Sequence, residues 1–439
     1  MKIEINYMLV ILFIIISDVY SQSGWIQQQS GLSLELQSSY FYNSNTGWIC
    51  GDSGKILKTT NGGTNWILQN TPTRERLMSV FFLNENTGWS SGGLFDISAF
   101  PNREVIIKTT NGGNFWFQAY YTNSSYTRFE SIYFINEYTG VVVSQGNSGG
   151  GNAGSIYRST NGGGIWSGLG VNDLLSYTGL KFTDTFTGWV LGQYWNDTGS
   201  DSGFIIKSTD SGSNWSTIYQ KSKTYFTSDY FLDNNTGWIS GIDHSGSSNL
   251  TVFYKTTNGG VSFNIYNLSG INNFKSICFT DSLKGWGCNT RIYRTTNSGS
   301  NWVQQLPYEG STYNSIFFTD SLIGWAVGTN GKIIKTVTGG ITYSFSHNIV
   351  LPHNYFISQN YPNPFNPVTH LEFGISDLEF VSLKVYDLLG NEIKTLVNEM
   401  KTPGVYNLEF DGSNLSSGIY YYILTVGKFS EIRMMTLLK

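Results

Sequence analysis

Charged side chains are scarce in this chain of 439 residues, because Asp, Glu, Lys and Arg together make up only 13% of it. An average soluble domain carries about 25%. The formal net charge is −4, and no run of Lys and Arg of the nucleic-acid-binding type occurs. These shortages exclude a broad basic surface, and we do not expect nucleic acid as a partner.

Histidine is also rare, with four residues in the whole chain. Only His244 falls in the repeated part described below, so a zinc site built from several histidines is excluded there. The stretch from Asp197 to Asp201 could suggest a calcium loop, but it lacks the Gly and the distal Glu of the EF-hand pattern. No glycine-rich loop joins a strand to a helix, so nucleotide binding has no support. We expect neither a metal nor a cofactor.

Cysteine occurs only at Cys50, Cys278 and Cys288, an odd number for an exported protein. Cys278 and Cys288 flank a turn, so they could lie across a strand pair and form a disulfide. Alternatively, all three are small core residues, because Cys50 and Cys288 occupy the repeat position that Leu191 and Val327 fill elsewhere. We favour the second interpretation.

Long apolar runs are absent after the N-terminal segment. There, Lys2 precedes an apolar run from Met8 to Ile16, and small residues lie near Ser21. This pattern is typical of a secretory signal peptide cut before Gln22, and the run is too short to span a bilayer. An uncleaved anchor is the alternative. We expect no transmembrane segment after cleavage.

What the chain has in abundance is one recurring phrase, Thr59-Thr60-Asn61-Gly62-Gly63-Thr64-Asn65-Trp66. Its turn residue stands at Asn61, Asn111, Asn161, Asp210, Asn258, Asn297 and Thr338. A spacing of 39 to 50 residues indicates a repeat array of seven units. A Gly-aromatic pair runs in phase with the phrase, at Gly47-Trp48, Gly88-Trp89, Gly188-Trp189, Gly237-Trp238, Gly285-Trp286 and Gly324-Trp325, with Gly140-Val141 as the degenerate copy.

Each unit reads as a meander of four short antiparallel strands. The first strand, such as residues 79–83, is apolar on both faces and must be covered on both sides. Stacking such sheets around an axis meets this need, so we expect a seven-bladed β-propeller. Residues 24–29 resemble an outer strand without a blade and should complete the last one, although residues 341–345 compete for that position.

The copy Ser208-Thr209-Asp210-Ser211-Gly212-Ser213-Asn214-Trp215 matches the Asp-box, or neuraminidase-type (BNR), repeat S/T-x-D-x-G-x-x-W in every specified position. The motif looks like a folding staple, because a short side-chain oxygen can accept hydrogen bonds from the turn's own backbone. With its spacing and its Gly-Trp phrase, the array is most similar to the photosystem II assembly-factor family of Asp-box propellers. The resemblance covers roughly residues 24–345 and implies fold more than function.

A different pattern begins after Ser346, with Gln359-Asn360-Tyr361-Pro362-Asn363-Pro364-Phe365-Asn366-Pro367, then Val385-Tyr386-Asp387-Leu388-Leu389-Gly390, and then Leu415-Ser416-Ser417-Gly418-Ile419-Tyr420. Alternating strands separated by turn residues predict a small immunoglobulin-like β-sandwich. The phrases closely resemble the type IX secretion C-terminal sorting domain of the A type. That resemblance implies export across both membranes of the cell, and release or attachment at the outer surface.

The expected organisation is all-β. It comprises a signal peptide at residues 1–21, a seven-bladed propeller at residues 22–346, a linker at residues 347–355 and a sorting domain at residues 356–439. The type IX secretion machinery is the expected partner of the last segment. The mature protein is expected to be secreted, either extracellular or attached to the outer-membrane surface.

Four consecutive blades, the second to the fifth, carry lengthened loops between their second and third strands, at residues 94–104, 144–154, 193–202 and 242–250. On one face of a propeller these loops would form a wall beside the central channel. Trp195 lies there, outside the repeat pattern and beside Tyr194. Such a pair could stack on a sugar ring or on a partner's side chain, or Trp195 could simply pack its own loop. The other candidate ligand-binding residues are Phe95, Phe100, His244, Arg103 and Arg128, with Arg74 and Arg76 as further nearby charges.

Asp-box propellers include sialidases and other glycosidases, so catalysis must be considered. A glycosidase needs two facing carboxyl groups or an equivalent pair. Loop carboxylates are available at Glu75, Asp96, Glu104, Asp197, Asp201 and Asp243, but none lies in a recognisable catalytic phrase. We therefore expect a binding or adhesion module for an extracellular glycan or protein, with a secreted sialidase-like glycoside hydrolase as the alternative and a scaffold without a small ligand as a third reading.

Overall fold

The structure, a computed structural model, describes residues 24–94, 102–125, 127–146, 154–169, 175–194, 201–307, 309–341 and 354–439. It divides into two compact units, Met1–Tyr343 and Ser344–Lys439. The expected signal peptide and most of the expected linker lie outside the described residues. In the described part, helix is confined to two 3-10 turns, Asp52–Gly54 and Thr329–Gly331.

The first unit consists of seven four-stranded antiparallel sheets, here called blades 1 to 7. The N-terminal strand β1 (Ile26–Gln28) precedes blade 1, which contains β2 (Leu36–Phe41), β3 (Gly47–Gly51), β4 (Ile56–Thr59) and β5 (Ile67–Leu68). Blade 2 contains β6 (Leu77–Phe82), β7 (Gly88–Leu94), β8 (Asn102–Thr109) and β9 (Phe117–Ser125). Blade 3 contains β10 (Arg128–Phe134), β11 (Gly140–Gln145), β12 (Ile156–Ser159) and β13 (Ser167–Gly168).

The remaining blades repeat this order. Blade 4 contains β14 (Leu175–Phe182), β15 (Gly188–Tyr194), β16 (Ser202–Ser208) and β17 (Ser216–Ser222). Blade 5 contains β18 (Thr224–Phe231), β19 (Gly237–Asp243), β20 (Leu250–Thr256) and β21 (Asn264–Leu268). Blade 6 contains β22 (Ser276–Phe279), β23 (Gly285–Cys288), β24 (Ile292–Thr295) and β25 (Val303–Leu306). Blade 7 contains β26 (Tyr313–Phe318), β27 (Gly324–Gly328) and β28 (Ile333–Thr336).

The blades close into a ring. The first strand of each blade, called its inner strand below, contacts the inner strands of both neighbouring blades, and β26 of blade 7 contacts β2 of blade 1. Strand β1 supplies the fourth strand of blade 7 by pairing with β28, with Ile26 opposite Lys335. The predicted seven-bladed propeller is confirmed, and the N-terminal strand latches it. Of the competing segment 341–345, only Ile341 is described, and it belongs to no strand.

The Gly-Trp phrase builds the contacts between blades. In blade 1 the Trp48 ring stacks on Phe82 of blade 2 with centroids 3.5 Å apart, and its indole N–H donates to the Gly112 carbonyl at 3.1 Å. In blade 2 Trp89 stacks on Phe134 and donates to Gly162 in the same way. The glycine before each Trp faces the inner-strand Phe of its own blade, so a Cβ on Gly88 would lie 2.6 Å from Phe82. The pair therefore couples close packing within a blade to packing between blades.

The repeated Asn/Asp turn holds itself together through its own side chains. The Asn61 carboxamide oxygen accepts from the Asn65 N–H at 2.9 Å, and the Thr59 hydroxyl accepts from the Gly63 N–H at 2.8 Å. Gly62 and Gly63 adopt φ of 65° and 85°, a region in which L-residues are strained. In the Asp copy, Asp210 accepts from the Asn214 N–H at 2.9 Å. The side-chain oxygens of Asn61 and Asp210 accept hydrogen bonds from the backbone of their own turns, so the turn has a structural role.

The second unit is a β-sandwich of two sheets. Its strands are β29 (Phe356–Ile357), β30 (Val368–Ile375), β31 (Glu379–Tyr386), β32 (Glu392–Lys401), β33 (Gly404–Asp411), β34 (Gly418–Val426) and β35 (Phe429–Leu437). One sheet has the order β29-β30-β33 and the other β32-β31-β34-β35, and buried apolar side chains from both form one core. The segment that precedes β30 and contains the prolines contacts this core, because the Asn360 N–H donates to the hydroxyl of the buried Tyr422 at 2.8 Å.

All three cysteines are free and buried. In the sheet, Ser276 rather than Cys278 lies opposite Cys288, while Cys278 lies opposite Trp286. The Cys50 thiol donates to the Leu77 carbonyl at 3.4 Å, inside the apolar contact between blades 1 and 2. The structure therefore decides between the two interpretations of the sequence in favour of small core residues.

Candidate functional site

The insertions of blades 2, 4 and 5 lie on one face of the propeller, but they are not simply loops. They lengthen the hairpin between the second and third strands, so that pairing continues to Leu94 opposite Arg103, Tyr194 opposite Ser202 and Asp243 opposite Leu250. The sequence indicated lengthened loops here, and the structure adds that their first and last described residues continue the strand pairing. Continued antiparallel pairing satisfies backbone N–H and C=O groups that an irregular loop would have to leave to water.

The outer strands of the same blades are also long. Strand β9 has nine residues and β17 has seven, whereas β5 of blade 1 has two. In blades 2 and 4 the outer strand pairs along the extended part of the hairpin, with Asn102 opposite Ser125 and Ser202 opposite Ser222. The extended hairpins of blades 2 and 4 are therefore parts of a sheet, and the outer strand of each blade pairs with them.

The aromatic candidates fall into two groups. Trp195, Phe95 and Phe100 lie outside the described residues. Tyr194 is half-buried at the end of β15, where it packs against the apolar cluster between blades 3 and 4 that includes Val143. Tyr194 thus anchors the hairpin to the body of the propeller.

The arginine candidates are engaged with carboxylates. Arg103 lies 2.8 Å from Glu75, across the boundary from the blade 1–2 connection to the blade 2 hairpin. Arg128 lies 2.5 Å from Glu130 and also donates to the Gln145 side chain at 3.2 Å. Sequence reasoning missed the partner of Arg103, because Glu75 is 28 positions away along the chain. It also missed Glu130, although this residue is two positions from Arg128 in the same strand. About half of the Arg103 side chain remains exposed, so it is accessible to a ligand.

His244 belongs to a polar cluster at the boundary of blades 4 and 5. Its Nδ1 lies 2.7 Å from the Asn249 side-chain oxygen, and its ring meets Tyr225 edge-on with centroids 4.6 Å apart. The Tyr225 hydroxyl donates to the Asp201 carboxylate at 2.5 Å. We call Asp201, Tyr225, His244 and Asn249 the blade 4–5 cluster. Both hairpins and the first residues of β18 contribute to it, although its members are separated by up to 48 positions in the chain.

Two features of this cluster bear on chemistry. Burial and the neighbouring Asp201 raise the pKa of the Tyr225 hydroxyl above its ordinary value, so this group remains a hydrogen-bond donor at neutral pH. The His244 Nε2 is buried and, among the described residues, has no hydrogen-bond partner. Sequence reasoning named His244 but missed Tyr225. Tyr225 lies in the inner strand of blade 5, whose other residues follow the repeat pattern.

The remaining loop carboxylates do not form an evident catalytic pair. Glu104 is only 2% exposed and accepts from the Thr127 hydroxyl. Glu75 pairs with Arg103, and Asp243 accepts from the Ser245 N–H at 2.7 Å. Asp96 and Asp197 lie outside the described residues. No group of three or more His, Cys, Asp or Glu suited to a metal occurs in the described part of the chain.

Comparison with known families decides the nature of the second unit. Residues 359–436 match the family described as secretion system C-terminal sorting domain. The C-terminal unit is a sorting domain. Such a domain directs export through the type IX secretion system, so the protein is secreted and its C-terminal sandwich interacts with that machinery. Across the described ranges, no helix combines the length and apolar character needed to cross a bilayer.

The propeller is similar to solved structures of the same fold. The structure "YCF48 bound to D1 peptide" is 18% identical, with 72% of this chain and 97% of that chain covered and a TM-score of 0.55. YCF48 from Cyanidioschyzon merolae is 17% identical, covers 71% and 98%, and gives a TM-score of 0.54. U3-55K is 8% identical, with 71% and 98% covered and a TM-score of 0.51. The expected resemblance to photosystem II assembly-factor propellers is confirmed at the level of fold. No curated protein matches the chain.

Proposed function

We propose that the exported propeller is a binding or adhesion module that recognises an extracellular glycan or protein through the hairpin face of blades 2 to 5. The observation that carries this proposal is the extension of three hairpins from the same face, each continued as paired strand. The propeller does not need these extensions to close its ring, because the hairpins between the second and third strands of blades 1 and 7 are short. A rigid scaffold that presents variable hairpins is the usual design of a recognition surface.

Within this face, the blade 4–5 cluster is the proposed contact point. It offers the half-buried ring of Tyr225, the Asp201 carboxylate and the His244 Nε2, which has no hydrogen-bond partner among the residues that the structure describes. The sequence places Trp195 in the neighbouring hairpin of blade 4. An aromatic surface with a few fixed polar groups suits a sugar ring or an amphipathic side chain. The similar propeller YCF48 has been solved with a D1 peptide, which supports the idea that this fold can present a ligand-binding surface.

The test is a glycan-array and cell-surface binding screen of the mature chain, with a hydrolysis assay on every hit. Trp195→Ala and His244→Ala should each weaken binding about tenfold or more, since loss of a central aromatic or hydrogen-bonding contact costs more than about 1 kcal/mol. Thermal stability should not change. His370→Ala is the matched control, because His370 is exposed and belongs to the sorting domain. Binding that survives both variants would contradict the assignment of the site.

The alternative function, a glycoside hydrolase, is tested by the same screen. Turnover of a bound glycan that disappears in Asp201→Asn or Glu104→Gln, with binding retained, would replace the binding proposal by a catalytic one. Trp66→Ala provides the stability reference, because Trp66 packs edge-on against Phe41 with centroids 6.0 Å apart in the body of blade 1. If Trp195→Ala lowers the melting temperature as much as Trp66→Ala, Trp195 is structural.

A further inference from the structure

The seven inner strands share one register near the propeller axis. Six of them place a serine opposite the residue three positions after the conserved Gly of the second strand: Ser38, Ser79, Ser131, Ser228, Ser276 and Ser315. At four junctions this hydroxyl accepts from a backbone N–H of the next blade, for example from Ile277 to Ser228 at 3.0 Å and from Ile316 to Ser276 at 3.2 Å. The serines therefore join neighbouring inner strands.

The junction of blades 4 and 5 departs from this pattern at two matched positions. Gly179 replaces the serine, and Asp229 of the next inner strand stands where the other blades carry Ser39, Val80, Ile132, Leu180, Ile277 and Ile316. A Cβ on Gly179 would lie 2.1 Å from the Asp229 carboxylate, so the glycine leaves the space that this carboxylate fills. The glycine also removes the hydroxyl that, at four of the other junctions, accepts from a backbone N–H of the next blade.

A third departure lies beside the first two. The residue opposite the conserved Trp, or opposite Val141 in blade 3, is aromatic in five blades and is Cys278 in a sixth. In blade 4 it is Lys181. The aromatic members contact one another around the axis, from Phe317 to Tyr40, Phe81 and Tyr133. The Lys181 ammonium lies 5.7 Å from the ring centres of both Tyr133 and Tyr230. Lys181 thus completes an aromatic collar, defined as Tyr40, Phe81, Tyr133, Lys181, Tyr230, Cys278 and Phe317.

The two charges are near each other but are not directly paired. Lys181 and Asp229 each influence the pKa of the other, yet no ion pair within 4.0 Å joins them in the described structure. No hydrogen-bond acceptor for the Lys181 ammonium is found among the described residues either. Both side chains are half-buried. Tyr230 also lines a cavity of about 370 Å³ at the face of the repeated turns.

Burial disfavours the charged forms of both Lys181 and Asp229. Burial lowers the pKa of Lys181 and raises the pKa of Asp229 to about 7, so both charged forms are held at a cost. Residues that break a local rule together, at one place in an otherwise regular array, are expected at functional sites. A cation and an anion that form no ion pair with each other in the described structure, with the rings of Tyr133 and Tyr230 beside the cation, are complementary to a small molecule that carries both charges.

We propose that Lys181, Asp229 and the aromatic collar bind a small zwitterion with an apolar side chain, of the free α-amino-acid class, in the axial channel. The ligand carboxylate is bound by Lys181 and the ligand ammonium by Asp229. Its side chain contacts the rings of Tyr133 and Tyr230. This site is separate from the hairpin face and does not depend on the function proposed above.

The test uses calorimetry and thermal shift on the full mature chain with a panel of free L-amino acids at pH 8, where Asp229 is ionised. For each amino acid that binds, the matched amine without the carboxylate and the matched acid without the amine are measured too. We expect at least one apolar or aromatic amino acid to bind, and both matched compounds to bind at least tenfold more weakly. Lys181→Met should also reduce affinity at least tenfold. Lys275→Met is the control, because Lys275 lies at the start of an inner strand and donates to Asn314 rather than facing the collar.

A second variant keeps the proposal falsifiable if single changes disturb the fold. Gly179→Ser, Lys181→Phe and Asp229→Ile together restore the pattern of the other blades. We expect this triple variant to melt at the same temperature as the parent or higher, and to lose the amino-acid response. A clear fall in melting temperature would show that the charges serve folding, and would overturn the proposal. Absence of any amino-acid binding, or binding that is unchanged in Lys181→Met, would overturn it as well.

Discussion

At the scale of single residues, the repeat is held by contacts whose partners lie about one blade apart. Trp238 stacks on Phe279 with centroids 3.8 Å apart and donates to the Ser298 carbonyl at 3.0 Å. The Gly-Trp phrase could be recognised from the sequence. The glycine is needed because the inner-strand Phe of the same blade occupies the space that a Cβ would take. The pairing of Arg103 with Glu75 could not be recognised, because it depends on which hairpins the ring brings together.

Gly88→Ala should destabilise the propeller by about 1–3 kcal/mol, because its Cβ would meet the Phe82 ring and force the core to shift. Gly246→Ala is the control, since a Cβ there meets nothing closer than 3.7 Å. Tryptophan fluorescence during urea unfolding measures the change, because all 13 tryptophans lie in the propeller unit. Equal stability of the two variants would show that the Gly-Phe contact is not required.

The raised pKa of Asp229 predicts a pH dependence of stability with a defined sign. Its pKa is raised to about 7 by burial, which outweighs the opposing effect of Lys181. Since the folded state holds this proton more tightly than the unfolded state, stability declines as pH rises from about 4 to 7 and then levels off. Lys181, whose pKa burial lowers, is the charged group that acts on Asp229. Near Lys181, burial raises the pKa of Cys278 to about 11 and also raises that of Tyr230, so both stay protonated in this window.

Asp229→Asn should therefore gain stability relative to the parent as pH rises through this window, measured by urea unfolding at each pH. The control is Asp210→Asn, a change that the Asn copies of the same turn show to be compatible with the fold. Burial raises the pKa of Asp210, but hydrogen bonds from Asn214 and Ser208 outweigh it and hold the pKa below its ordinary value. A gain of the same sign in both variants would refute the special role of Asp229.

At the scale of elements, the meander of each blade follows from alternating short strands and Asn-Gly turns, and it was predictable strand by strand. The lengthened hairpins were recognised only as insertions. Their continuation as paired strand was not foreseen, because residues such as Arg103 and Glu104 give little indication of which backbone lies beside them. Long outer strands support them, and this support is a property of neighbouring sheets.

The latch strand provides a prediction at this scale. Trp25, just before β1, is 5% exposed and packs edge-on against Phe318 of blade 7 with centroids 5.8 Å apart. Trp25→Ala should cost about 3–5 kcal/mol of propeller stability, as expected for loss of a buried Trp. Ile26→Ala is the matched control in the same strand, because Ile26 is 62% exposed and should cost about 0.5 kcal/mol or less. Similar losses for both would indicate that the latch does not depend on this contact.

At the scale of the whole molecule, the chain combines a β-propeller with a C-terminal export signal. Deletion of residues 359–439 should prevent the protein from reaching the medium or the cell surface, because the secretion machinery reads this sandwich. Fractionation of producing cells and antibody accessibility on intact cells measure the outcome, with the full-length chain as control. Surface exposure of the truncated chain would contradict the sorting role.

The sequence by itself determined the all-β class, the number of blades and the sorting domain, because each rests on local patterns that recur or on short phrases in a fixed order. It left residues 24–29 and 341–345 as competitors for the last outer strand, and the pairing of β1 with β28 is a result of the structure. Tertiary structure alone decided that the cysteines are free, that the candidate arginines are paired and that Asp201, Tyr225 and His244 meet. It also brought Gly179, Lys181 and Asp229 together at one junction. These outcomes depend on which side chains the closed ring places next to one another, and closure joins residues about 50 positions apart that no local pattern connects.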